Sequence, residues 1–308
     1  MATYILRRLV QSFFVIMGVV ILVFVLARLS GDPAVLYLPL EAPEELRQAF
    51  REEHGLNRPI IVQLGSFLVD VAHLDFGDSM WQHRPAMGLV LSRLPLSLEL
   101  ATATTILALG LAFVFGSISA RHPLSFIDRL TAATSLVGVT VPSFWLALVL
   151  ILVFAVRFRW LPTSGTGGLR YMLLPGITLA WPPLGSMAQV VRCSLLEQFS
   201  SPYITTARAK GLRERAILVR HVARNAAIPV ITVAGQVFIG VANGAIIVET
   251  VFGWPGIGKL LIDAISRRDF AVIQAVVFVV AVVVVAINLV LDLLYVAIDP
   301  RIRYQRLK

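Results

Sequence analysis

The stretch FAVIQAVVFVVAVVVVAINLVLDLLYVAI, residues Phe270 to Ile298, decides the fold class. Its centre, Val276 to Val285, carries no polar side chain. A membrane-spanning helix needs about 20 mostly apolar residues, and this segment has more than enough. Working back along the chain, five more stretches meet or approach that length. They are Leu9 to Leu29, about Leu98 to Ala120, about Leu130 to Val156, about Tyr171 to Leu196 and about Ala226 to Phe252. The fourth is interrupted by Pro175, Pro182 and Pro183, and the fifth carries Gly235, Gly240 and Gly244. The reading is an all-α integral membrane protein with about six transmembrane helices.

Composition agrees. Of 308 residues, 57% are apolar and 15% charged. Soluble chains carry roughly 45–50% and about 25%, so part of this surface must be solvated by lipid. The basic stretch Arg7-Arg8 before the first segment resembles the start of a signal peptide. However, an h-region runs only about 7–15 residues before a small-residue cleavage site. Here the apolar run is longer and ends in Ala27-Arg28-Leu29-Ser30, so residues 1–29 are expected to stay as an anchor helix.

The net charge of +9 has a positional explanation. Arg7 and Arg8 precede the first span, and Arg121 and Arg129 lie between the second and third. Arg208, Lys210, Arg213, Arg215, Arg220 and Arg224 lie between the fourth and fifth, and Arg301, Arg303, Arg306 and Lys308 end the chain. Six spans put all four groups on one side, the cytoplasmic side by the positive-inside rule, with both termini there. A nucleic-acid partner is not needed to account for the charge. Residues 30–97, on the other side, are locally acidic. Pro43 opens one short helical pattern that ends at Gly55, and Ile60, Leu64, Phe67 and Val71 fall at helical spacing in another. A small external helical cap is expected. Residues 98–298 form the main transmembrane domain and 299–308 a cytoplasmic tail.

The loop 199–224 is too basic for a span and too apolar for a solvated coil. Ser201 is placed to cap a helix whose first residue is Pro202, with Gly211 as the bend after Lys210. A short helix with one apolar and one basic face suits a protein groove or anionic headgroups, and these residues leave both open.

The stretch Tyr203-Ile204-Thr205-Thr206-Ala207-Arg208-Ala209-Lys210-Gly211-Leu212 resembles the coupling loop of permeases in the dipeptide, oligopeptide and nickel branch of ABC importers. The wider importer pattern is Glu-Ala-Ala, three residues, then Gly; the acidic first position is missing here, as in the peptide branch. Other fragments resemble the same branch in order. They include Leu29 to Ala34, His54 to Pro59, Asp75 to Ser79, Leu94-Pro95 opening the second helix, and Leu161 to Gly165. Glu249 to Gly258, Arg268-Asp269-Phe270 and Asp299 to Tyr304 complete the series. Ser30 departs from the proline usual in the family. The resemblance implies a permease subunit forming half of a path for peptides or similar small solutes. It further implies a second, usually different, permease, two nucleotide-binding ATPase subunits holding ATP and Mg, and an extracytoplasmic solute-binding protein. No cofactor is expected on this chain. Tyr203, Thr205, Thr206, Ala207, Arg208, Lys210, Gly211 and Leu212 would be the residues that couple to the ATPase.

Gly253-Trp254-Pro255-Gly256-Ile257-Gly258-Lys259 has P-loop spacing, but Leu260 stands where a Ser or Thr would hold magnesium. It reads instead as a turn that re-enters the helix packing, with Trp254 near the membrane interface. Ionisable or amide groups at membrane depth face a bundle interior or a cavity, which makes Asn243, Glu249, Asn288 and Asp292 candidates for the path or for helix packing. Arg192 reads as a snorkelling side chain. Gly240 and Gly244, four apart, read as a close helix contact. The five histidines and Cys193 offer no metal-ligand spacing. A self-sufficient ion-coupled secondary transporter is the competing function; it would usually carry more spans and inverted repeats. A membrane enzyme would need a converging set of reactive groups that these polar residues do not make.

Overall fold

The computed structural model describes residues 2–29, 42–53, 55–213, 216–217 and 222–298. Among them all extended regular structure is helical, with one isolated bridge between Asp78 and Pro85. In chain order the helices are α1 (Ala2–Leu29), α2 (Glu44–Glu53), α3 (Ile60–Ala72), α4 (Ala86–Arg121), α5 (Phe126–Thr140) and α6 (Ser143–Leu150). A π-helical stretch, Ile151–Arg157, continues α6. Then come α7 (Leu169–Phe199), α8 (Pro202–Ala209), α9 (Ala223–Val251), α10 (Ile257–Ser266) and α11 (Phe270–Ile298). The expected motifs at residues 30–34, His54 and 299–304 lie outside the described residues.

The chain divides into two compact units, Met1–Pro95 with Lys259–Ala286, and Leu96–Gly258 with Ile287–Lys308. The first is held by a chain of aromatic contacts. Phe24 of α1 stacks on Phe67 of α3 at 5.3 Å, Phe67 meets Phe76 edge-on at 6.3 Å, and Phe76 meets Phe278 of α11 at 5.3 Å. Such pairs add about 0.5–1.5 kcal/mol each beyond their buried area. The Ser79 hydroxyl donates to Asp269 Oδ2 at 2.5 Å, and both side chains are buried. Asp269 also accepts from the backbone N–H of Val272 at 3.3 Å, which caps the start of α11.

In the second unit α7 packs against α5, α6 and α9. Small residues set these distances. A Cβ on Gly116 of α4 would come within 2.6 Å of Ala188 O on α7, and one on Gly138 of α5 within 3.1 Å of Trp181 O. A Cβ on Gly185 of α7 would overlap the Ser135 backbone of α5. Lipid offers no hydrophobic drive between helices, so close backbone approach at small residues supplies the contact energy. Of Gly240 and Gly244, expected at such a contact, Gly240 has open space around its Cβ position within this chain and the surroundings of Gly244 lie outside the described residues; on α9 it is Gly235 that lies against Leu291.

Two boundaries differ from the sequence reading. The second helix begins at Ala86 rather than at Leu94-Pro95, and Pro95 lies inside it. At 36 residues α4 is about 54 Å long, more than a hydrocarbon core of about 30 Å requires. The third stretch is not one helix: Val141 is extended, Pro142 starts α6, and α5 and α6 meet at 108°. Proline lacks the N–H and disfavours a helical residue before it, so Pro142 ends α5. The fourth stretch is a single helix, α7, that runs through Pro175, Pro182 and Pro183.

By length and apolarity, 4 described segments suffice to cross a membrane, or 5 with the bent α5–α6 pair. α7 is not among them, because its prolines, Thr178, Trp181 and Arg192 lower its apolarity. Its face is buried by protein, from Met172 through Leu184 to Leu195, so lipid does not dictate its composition.

Candidate functional site

The loop after α7 folds as α8, with Pro202 in its first turn. Ser201 is extended (φ −72°, ψ 140°) and its carbonyl accepts from Ile204 N at 3.0 Å. Its hydroxyl does not cap the helix as expected; it donates back to Glu197 O at 3.0 Å. Pro202 at the first helical position has no N–H to leave unsatisfied, and the Ile204 N–H is taken by the Ser201 carbonyl.

Ile204 and Ala207, three residues apart, share one face and are buried. They join Ala120, Val191, Leu195, Ile217, Val222 and Ala226 in one apolar cluster. Tyr203, Thr205, Thr206, Arg208, Lys210, Gly211 and Leu212 are exposed. Ala207 therefore seats the helix on its own chain, while the other named loop residues face outward. The Tyr203 hydroxyl donates to Gln198 Oε1 at 2.7 Å and accepts from Asn225 Nδ2 at 3.2 Å, tying α8 to the end of α7 and the start of α9.

The helix ends in a Schellman turn. Gly211 N donates to Arg208 O at 2.9 Å, Leu212 N donates to Ala207 O at 3.3 Å, and Gly211 has φ +75°. That left-handed conformation is why glycine stands there. Of the second helical piece expected over Arg213 to Arg224, residues 214–215 and 218–221 lie outside the described residues. Ile217 and Val222 are described and buried in the cluster.

Beside this cluster sits an ion pair the sequence reading missed. Arg192 does not snorkel. Its Nε lies 2.6 Å from Asp128 Oδ1, and its Nη2 donates to Oδ2 at 3.0 Å. The Ser119 hydroxyl and the Leu124 N–H also donate to Asp128, the latter at 2.8 Å. The pair fixes the start of α5 to α7 one residue from Val191, which touches α8's cluster. The Ser125 hydroxyl accepts from Asp128 N at 3.3 Å, which caps α5 and places Asp128 in its first turn.

Arg192→Ala or Asp128→Ala is expected to lower the unfolding midpoint, because each removes one half of the pair and leaves the other charge without its partner. The double variant is expected to cost clearly less than the sum, as a double-mutant cycle of unfolding in micelles would measure. Strict additivity would mean the pair contributes no coupling.

At the far end of α9, Glu249 is buried and its Oε1 accepts from the Ser97 hydroxyl at 2.6 Å. Ser97 Oγ in turn accepts from Ile257 N, in the first turn of α10, at 2.8 Å. Gly253 is left-handed (φ +58°) in a second Schellman turn. A Cβ on Gly256 would overlap the Glu249 carboxylate, and one on Gly258 would come within 2.6 Å of Ile246 Cα. The glycines with P-loop spacing thus admit the chain's own carboxylate beside a helix N-terminus, where a negative charge is favoured. Lys259 pairs with Asp263 at 2.8 Å. Trp254 is 2% exposed, and its Nε1–H donates to Leu96 O at 3.1 Å. Asn288 is exposed and Asp292 half-buried, one turn apart on α11. The side chain of Asn243 lies outside the described residues.

The family described as binding-protein-dependent transport system inner membrane component matches residues 112–304, which include α8, Asp128, Arg192 and Glu249. The chain belongs to that family. The oligopeptide transport system permease protein AppB of Bacillus subtilis is 38% identical, over 99% of this chain and 100% of its own length. A probable peptide ABC transporter permease protein of Sinorhizobium fredii is 39% identical over the same shares. The glutathione transport system permease protein GsiC of Salmonella typhimurium is 37% identical, again over 99% and 100%. Among solved structures, the MetNI methionine ABC transporter aligns with TM-score 0.56 and 16% identity, covering 69% of this chain and 97% of that one. An amino acid ABC transporter aligns with TM-score 0.53 and 16% identity, covering 68% and 93%. These two support the fold. As a member of this family, the chain is an inner-membrane permease subunit of an importer that works with ATPase and solute-binding partners, rather than an ion-coupled secondary transporter.

Proposed function

We propose that this permease forms half of a translocation path for peptides or similar small solutes and couples to separate ATPase subunits through α8. Its relatives' names point to oligopeptides, peptides and glutathione. In this reading the bent α5–α6 pair and α7 complete six spans, both termini are cytoplasmic, and residues 30–97 form an external cap. A second, different permease supplies the other half of the path, and ATP and Mg are held by the ATPase subunits. One observation carries the coupling role. α8 buries only Ile204 and Ala207 against its own bundle and leaves Tyr203, Thr206, Arg208 and Lys210 outward. A groove on the ATPase would take that outer face, with acidic residues opposite Arg208 and Lys210.

The test uses the end of the helix. A Cβ at Gly211 meets nothing within 4 Å, so a substitution there acts through φ +75° rather than through a clash in this chain. Gly211→Val is expected to lower uptake at least about tenfold in reconstituted transporter, while ATP hydrolysis continues and the complex assembles. Gly211→Asn, which tolerates the left-handed conformation, is expected to keep most of the uptake. Normal coupled uptake by the valine variant would remove α8 from this role.

A further inference from the structure

Within the first unit, α1, the end of α10 and the start of α11 enclose a crevice of about 450 Å³. Its wall is apolar, with Leu26 and Ala27 from α1 facing Ile273 and Val277 from α11. Two polar side chains interrupt it, Arg268 at the helix ends and Gln274 one turn further along α11 than Phe270. α1 and α11 both belong to the apolar segments long enough to cross a membrane, so this crevice opens where acyl chains are the solvent.

The arginines at this level are used differently. The Arg267 guanidinium lies 3.8 Å above the Trp81 ring, and that of Arg28 lies 5.3 Å from the Phe24 ring. Arg268 is exposed and has no ion-pair partner among the described residues. The neighbouring carboxylate, Asp269, is buried and occupied by Ser79 and the Val272 N–H. Arg268 also sits in a Schellman turn at φ +59°, with Asp269 N donating to Ala264 O at 2.8 Å. Glycine is the residue that suits this position, and an arginine held there is strained. Strain kept at a position marks it as a candidate for function.

We propose that this crevice binds one glycerophospholipid. Arg268 holds the phosphate, because a guanidinium forms a paired, charge-assisted contact with phosphate oxygens. Gln274 lies at the depth of the ester groups and donates to them, and an acyl chain runs between Leu26, Ala27, Ile273 and Val277. The proposal needs α1 and α11 to lie in the membrane but does not depend on which leaflet their joined ends face.

The test uses the assembled transporter, delipidated in detergent and reloaded with dioleoylphosphatidylglycerol. Native mass spectrometry counts phospholipid retained per copy of this chain. Arg268→Gly removes the guanidinium and relieves the left-handed strain, so it is expected to fold and assemble while retaining at least about tenfold less lipid. Ala27→Trp fills the apolar wall and is expected to give the same loss, whereas Arg267→Gln, which changes the Trp81 contact, is expected to retain the lipid. Wild-type retention in Arg268→Gly or in Ala27→Trp would overturn the proposal. So would efficient cross-linking of Ala27→Cys to the second permease subunit, which would place a protein segment in the crevice.

Discussion

Gly185→Ala is expected to destabilise the chain by about 3 kcal/mol, although it adds one methyl group to a helix interior. Its Cβ would overlap Ser135 Cα and N and come within 2.8 Å of Thr134 C, all backbone of α5. No rotamer change relieves a clash with backbone, so α5 and α7 must separate. That separation also loosens Gly138 from the carbonyls of Trp181 and Pro182 and strains the Asp128–Arg192 pair. The measurement is thermal unfolding of the purified protein in micelles, with Gly240→Ala as control. Gly240 has nothing within 4 Å of its Cβ position, so alanine there should be neutral or slightly stabilising, since alanine is the better helix former. Equal melting of the two variants would mean that α5 and α7 do not touch at Gly185.

Glu249→Ala carries the second large effect, also about 3 kcal/mol. The carboxylate is 1% exposed, accepts from Ser97, and lies over Gly256 and Gly258 at the start of α10. Alanine leaves a cavity and strips the acceptor from the buried Ser97 hydroxyl, and both effects act in the same direction. Glu249→Gln keeps an acceptor oxygen and nearly the same volume, so it is expected to recover more than half of the loss. Unfolding midpoints of the two variants would decide. If glutamine were as damaging as alanine, the negative charge rather than the shape would hold this turn together.

The basic loop at 199–224 was legible because helix-capping chemistry is local. Pro202 at the first turn and Gly211 at the left-handed position each answer a backbone requirement set by its immediate neighbours. The break at Pro142 was equally local and stood in the sequence as a proline inside an apolar run. The Asp128–Arg192 pair was not legible in this way. The partners are 64 residues apart, and nothing near Arg192 names the helix it will face.

Apolar run length, the placement of arginine and lysine, and turn residues determined by themselves that this chain is a helical membrane protein with a basic loop between two of its apolar segments. Each of those properties is fixed by transfer to lipid or by the backbone geometry of a few adjacent residues. Only the tertiary structure decided which glycine carries a helix contact within this chain, Gly185 and Gly235 rather than Gly240, and that Trp254 is buried. It also decided that Glu249 closes on the glycines of its own following turn. Those outcomes depend on which residues of distant segments meet, and periodicity along one helix records that it has a buried face but not the surface that will cover it.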